Sequence, residues 1–159
     1  MDSMRGLLLL IWLFLGLSVF AEDNNLTSSD WKIKKITCDV VSSDPAKQSS
    51  LDSCLSYLQK DTVSEKDEFI YSFTDSTMER TNNNNEDVWS YKLLGDKMVV
   101  ELGMGRVYIF NYKVDSDTTL VLEMSKQIFM LSEFAPKDKS MKDLIKSVSL
   151  KYYFKKIEP

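Results

Sequence analysis

Val88-Trp89-Ser90-Tyr91-Lys92-Leu93-Leu94-Gly95-Asp96-Lys97-Met98-Val99-Val100-Glu101-Leu102 is the stretch whose reading decides the fold. Trp89, Tyr91 and Leu93 alternate with Ser90 and Lys92, and Met98, Val100 and Leu102 resume the rhythm after Gly95-Asp96. Side chains of a strand have a period of two, so each run gathers its apolar members on one face. The stretch is a hairpin about Gly95-Asp96. Upstream, Phe69, Tyr71 and Phe73 alternate with Glu68, Ser72 and Thr74, and the chain turns at Asp75-Ser76 into a short strand over Thr77–Thr81. Such an antiparallel meander must roll up or pair to hide its apolar face and its edges.

The rest of the chain extends the pattern. Trp31 opens a first strand running to about Cys38, with Ile33 on its side and Lys32 and Lys34 on the solvent side; Val40–Lys47 reads as a connector. Between Ser50 and Lys60 the period changes. Leu51, Cys54, Leu55 and Leu58 fall on the stripe of one amphipathic helix, with Ser49 and Asp52 as its cap. Asn82–Asn85 is a tolerant surface loop, and Gly103-Met104-Gly105 makes a corner. Arg106–Val114 carries Tyr108, Phe110 and Tyr112 on one face and Val107 and Ile109 on the other, so both faces are expected to be covered. Thr119–Met124 and Val148–Ile157 complete the strands. The excursion from Ser125 to Ser147 is longer than a hairpin needs and holds Ile128, Phe129, Met130, Leu131 and Phe134, then Pro136, then a helical turn through Met141, Leu144 and Ile145. Its apolar residues either close one end of a barrel or form a lid or binding loop.

Leu7–Phe20 is an uninterrupted apolar run after Arg5, shorter than a bilayer span, and Val19-Phe20-Ala21 suits signal peptidase cleavage before Glu22. Residues 1–21 are therefore expected to be a signal peptide and the product secreted or periplasmic. What remains, about 138 residues, is enough for a single domain with one core. Glu22–Ser29 reads as a polar leader; within it, Asn25-Leu26-Thr27 is a glycosylation sequon for a eukaryotic host only. The net charge is −4, and the lysines are scattered as on solvated strand faces, which argues against nucleic acid. A monomer is expected. Cys38 and Cys54 are the only cysteines, and in an oxidising compartment the simplest expectation is a disulfide between them. Closing a loop of about 15 residues would contribute roughly 3 kcal/mol.

Taken in order, the motifs are Asp30-Trp31-Lys32-Ile33, then Phe69-x-Tyr71-x-Phe73 followed by Asp75-Ser76-Thr77, then Trp89-Ser90-Tyr91-Lys92-Leu93-Leu94-Gly95-Asp96-Lys97-Met98. Thr118-Thr119-Leu120-Val121-Leu122 and a closing Leu150-Lys151-Tyr152-Tyr153-Phe154-Lys155-Lys156 follow. This order resembles the secreted lipocalin-like domains of Bacteroidetes, and the likeness covers Asp30 to Ile157. The resemblance implies an all-β, antiparallel up-and-down barrel of about eight strands with one short helix, its closed end plugged by Trp31.

The chemistry-bearing residues are sparse. Histidine is absent, which removes the usual neutral-pH base and the commonest transition-metal ligand. Glu65, Asp67 and Glu68 cluster, as do Glu86 and Asp87, but each group borders a loop where carboxylates are ordinarily solvated. No Gly-x-Ser-x-Gly elbow or phosphate loop occurs. A protein that is not an enzyme, with no cofactor and no metal, is the expectation. Trp89, Tyr91, Tyr108, Phe110 and Tyr112 would suit the wall of a pocket for a small apolar ligand, with hydroxyls to orient it. The other reading is a filled barrel that engages a protein partner through residues 125–147.

Overall fold

The computed structural model of the chain describes residues 26–27, 29–63 and 69–158. The signal segment with its cleavage site, Asn25 of the sequon and the Glu65, Asp67 and Glu68 cluster lie outside the described residues. Among the described residues eight strands form: β1 (Asp30–Ser42), β2 (Ile70–Phe73), β3 (Thr77–Thr81), β4 (Glu86–Leu94), β5 (Lys97–Glu101), β6 (Val107–Ser116), β7 (Thr119–Met124) and β8 (Ile145–Lys156). Each pairs antiparallel with the next, and β8 returns to β1, so the meander closes into an up-and-down barrel in sequence order. Closure removes the unpaired edges that an open sheet would expose.

The two ends differ. At one, tight turns join β2 to β3, β4 to β5 and β6 to β7, with Gly95 of the β4–β5 turn in the left-handed conformation at φ 61°. Trp31 seals this end and is 0% exposed; its Nε1–H donates to the carbonyl of Leu26 at 3.3 Å. Met98, Leu120, Phe73 and Tyr91 are buried with it, and the Phe73 and Tyr91 rings meet edge to face at 5.7 Å. Leu26 corrects the expected polar leader: it is buried in the same core cluster, so part of that stretch folds back over the plug.

At the other end lie the longer connections. β1 and β8 are the longest strands and continue as a pair past the point where β2 and β7 leave them, ending near Ser42 rather than at Cys38. Here α1 (Gln48–Leu55), prolonged by a 3-10 turn over Ser56–Leu58, buries Leu51, Leu55 and Leu58. The expected Ser49–Asp52 cap does not form. Instead the Gln48 side chain pins the helix, accepting from Ser42 N at 2.8 Å and donating to Val40 O and to Asp52. The excursion adds two further helices, α2 (Lys126–Leu131) and α3 (Lys139–Leu144), so the helix count is larger than the single one expected. Ser125 and Asp138 cap them through side-chain oxygens. Ile128, Phe129 and Ala135 are buried, so much of this segment closes over the barrel.

Two further expectations need correcting. Val107 and Ile109 are 42% and 38% exposed, so β6 is covered on its inner face only. Cys38 and Cys54 are free thiols that are not close, and the expected disulfide is absent. Leucines 51, 55 and 58 take the buried stripe of the helix, leaving Cys54 at its half-exposed shoulder.

Candidate functional site

Inside the barrel lies a cavity of about 460 Å³, within the range of small-molecule sites. Cross-strand register explains its walls. Met78 faces Trp89, Val100 faces Tyr108, and Leu122 faces both Tyr112 and Tyr152, so period-two alternation turns all of them inward. Val100, Phe110, Leu122, Met124 and Phe154 make part of the lining apolar. Arg106 and Glu133, both exposed, and half-buried Phe134 line it from the end opposite Trp31.

Of the five aromatic residues expected to form the wall, Trp89, Tyr108 and Phe110 line the cavity. Tyr91 and Tyr112 do not. Both fall on inward positions, but Tyr91 sits in the plug with its hydroxyl donating to Thr74 O at 2.6 Å, and Tyr112 lies a register step deeper than Phe110. The alternation that selects an inward face does not report depth along the barrel axis.

A charged cluster that the aromatic pattern did not reveal stands at the wall. Arg80 donates from Nε and Nη2 to Oδ2 of its cross-strand partner Asp87, at 3.1 and 2.5 Å. Its guanidinium lies 4.5 Å from the centre of the Phe69 ring and 5.0 Å from that of Trp89, both within cation–π range. Tyr71, its partner across β2–β3, carries the third contact: burial pushes the phenol's pKa up, while a hydrogen bond and the charge of Arg80 oppose that rise. The sequence held the signal, because Arg80 is two residues from inward Met78 and must share its face.

Tyr71, Arg80, Phe134, Ile33 and Tyr152 also line a neighbouring hollow of about 490 Å³ beneath Tyr57–Val63, bordered by Lys60. There β1 has parted from β2, and the 60–63 stretch bonds its free edge through Ile36 and Lys60. The two hollows therefore meet at a waist carrying a guanidinium and tyrosine hydroxyls. Burial, reinforced by neighbouring Tyr71 and Tyr108, pushes the Tyr152 phenol far up, so it stays a neutral donor–acceptor.

Cys38 is close to this wall but chemically quiet. Burial first, then Asp39 and Asp52, push its thiol up to about 11, which disfavours the nucleophilic thiolate. Of the acidic clusters, Glu86 is exposed and Asp87 is committed to Arg80. The chain matches no protein-family model, no curated protein and no solved structure.

Proposed function

We propose that this is a non-enzymatic, exported binding protein of lipocalin-like type that takes a small, largely apolar molecule into its barrel. The observation that carries the reading is the cavity of about 460 Å³, lined by apolar and aromatic side chains with an ion pair at its wall and open at the end away from Trp31. Trp89, Tyr108 and Phe110 supply aromatic surface, and Tyr108 and Tyr152 supply hydroxyls. A pocket of this make-up discriminates mainly by shape, so affinities nearer micromolar than nanomolar are expected, about −8 kcal/mol. The apolar run at Leu7–Phe20 supports export. The absence of histidine and of any nucleophile elbow supports binding rather than turnover. The rival, an interaction module with a filled barrel, requires an interior packed solid, and the cavity weighs against it.

The test is native mass spectrometry of protein purified from its own host. A co-purifying apolar molecule, released on denaturation, is the expected result. Protein that carries no adduct and takes up no apolar compound when challenged would overturn the reading.

A further inference from the structure

Resting on the reading of the cavity as a ligand site, we infer that the polar group of its ligand is uncharged: a hydroxyl, or a group that donates as a hydroxyl does, seated among Asp87, Tyr71 and Tyr152 of the barrel cavity. Among the described residues, the charges lining the barrel cavity are Arg80, Arg106, Asp87 and Glu133, which balance. Arg106 and Glu133 are exposed at the mouth and Lys60 is exposed on the neighbouring hollow, where water screens them. The two partly buried charges are already spent on each other.

Both hydrogen bonds of Arg80 fall on Oδ2 of Asp87, and among the described residues no donor reaches Oδ1. The guanidinium is held besides by two aromatic rings and by Tyr71. A carboxylate or phosphate entering here could reach the Nη1 donors that Asp87 leaves free, but it would set a second anion beside Asp87 on a single guanidinium in partly desolvated surroundings. An ammonium would meet the guanidinium. A hydroxyl escapes both conflicts. It can donate to the open oxygen of Asp87 and accept from a tyrosine, with the ion pair left whole. An ether, which only accepts, leaves that oxygen unanswered.

The comparison that tests this sets decanol, decyl methyl ether and decanoate against the apolar fluorophore phenylnaphthylamine bound to the full protein, at about pH 8, where the carboxylic acid is ionised. Decanol is expected to displace the probe at about tenfold lower concentration than either of the others, the usual scale for one hydrogen bond to a charged group. A pocket blind to the hydroxyl would favour the more apolar ether, so an ether equal to or better than the alcohol overturns the inference. So does decanoate displacing as well as decanol. In Asp87→Asn, which leaves the guanidinium unopposed, decanoate should gain about tenfold on decanol; an unchanged ratio in a folded variant contradicts the assignment. Failure of the probe to bind at all would refute the ligand site itself, a result separable from these.

Discussion

Trp31 shows how one residue can hold an end of a barrel. The indole is wholly buried, and its only polar atom is satisfied by Leu26. Trp31→Ala should cost about 3–5 kcal/mol, read from the chemical-denaturation midpoint, and a loss below about 1 kcal/mol would contradict its role as the plug. The alternation put Trp31 on the same side of its strand as Ile33, while its place at the closed end was implied by the lipocalin-like resemblance. The burial of Leu26 was not legible, because a single leucine among polar residues has no period to betray it. Cys38 makes a second case. Its raised thiol pKa, about 11, predicts alkylation at neutral pH far slower than that of a free cysteine, rising as pH approaches that value; labelling at the free-cysteine rate would contradict it. The expected disulfide failed because pairwise logic on two cysteines ignores which helix positions the leucines claim.

At the scale of elements, register is fixed on the outside as well as the inside. Lys97, Asn111, Glu123 and Lys151 are successive cross-strand partners on β5 to β8. Lys97 donates to Asn111, Asn111 and Ser149 donate to Glu123, and Lys151 stands 3.8 Å from it. A slip of one residue would carry all of these to the wrong face. Partial burial works to raise the pKa of Glu123, but the bonds from Ser149 and Asn111 and the charge of Lys151 hold it below the usual 4.5. A depressed folded-state pKa means the stabilisation is present above the unfolded value and is lost as pH falls through the folded one. Denaturation midpoints measured from about pH 6 down to pH 3 should therefore fall less steeply in Glu123→Gln than in the parent; parallel profiles would contradict the ladder. Strands β3 and β7 match the expected Thr77–Thr81 and Thr119–Met124, each opened by the turn residues that precede it. Within 125–147 the helical turn through Met141 and Leu144 was legible and forms α3, although Ile145 belongs to β8; the apolar run that forms α2 was not, since a short run without period fits a helix and a cover equally well. The β5–β6 corner adds a prediction: Met104, fully exposed at φ 51°, is a non-glycine residue in left-handed backbone between two glycines. Met104→Gly should be neutral to stabilising by up to about 1 kcal/mol, and a loss above that by thermal melting would contradict the turn geometry.

The whole molecule is a barrel plugged at one end and hollow toward the other. Period-two patterning determines which side chains face inward, but whether they fill the interior depends on side-chain sizes summed around eight strands, which no local pattern reports. The inward aromatics divide accordingly: Phe73, Tyr91 and Tyr112 go to the deep end, while Trp89, Tyr108 and Phe110 edge the space. The central claim is that this space takes an apolar molecule. It is tested most directly by titrating phenylnaphthylamine into the parent protein and into Leu102→Trp, in which an indole replaces a half-buried leucine of the cavity wall. Saturable, displaceable fluorescence near micromolar in the parent, weakened at least about tenfold in a variant with unchanged circular dichroism, is the predicted result. No saturable binding in the parent, or equal binding in a folded Leu102→Trp, would contradict it.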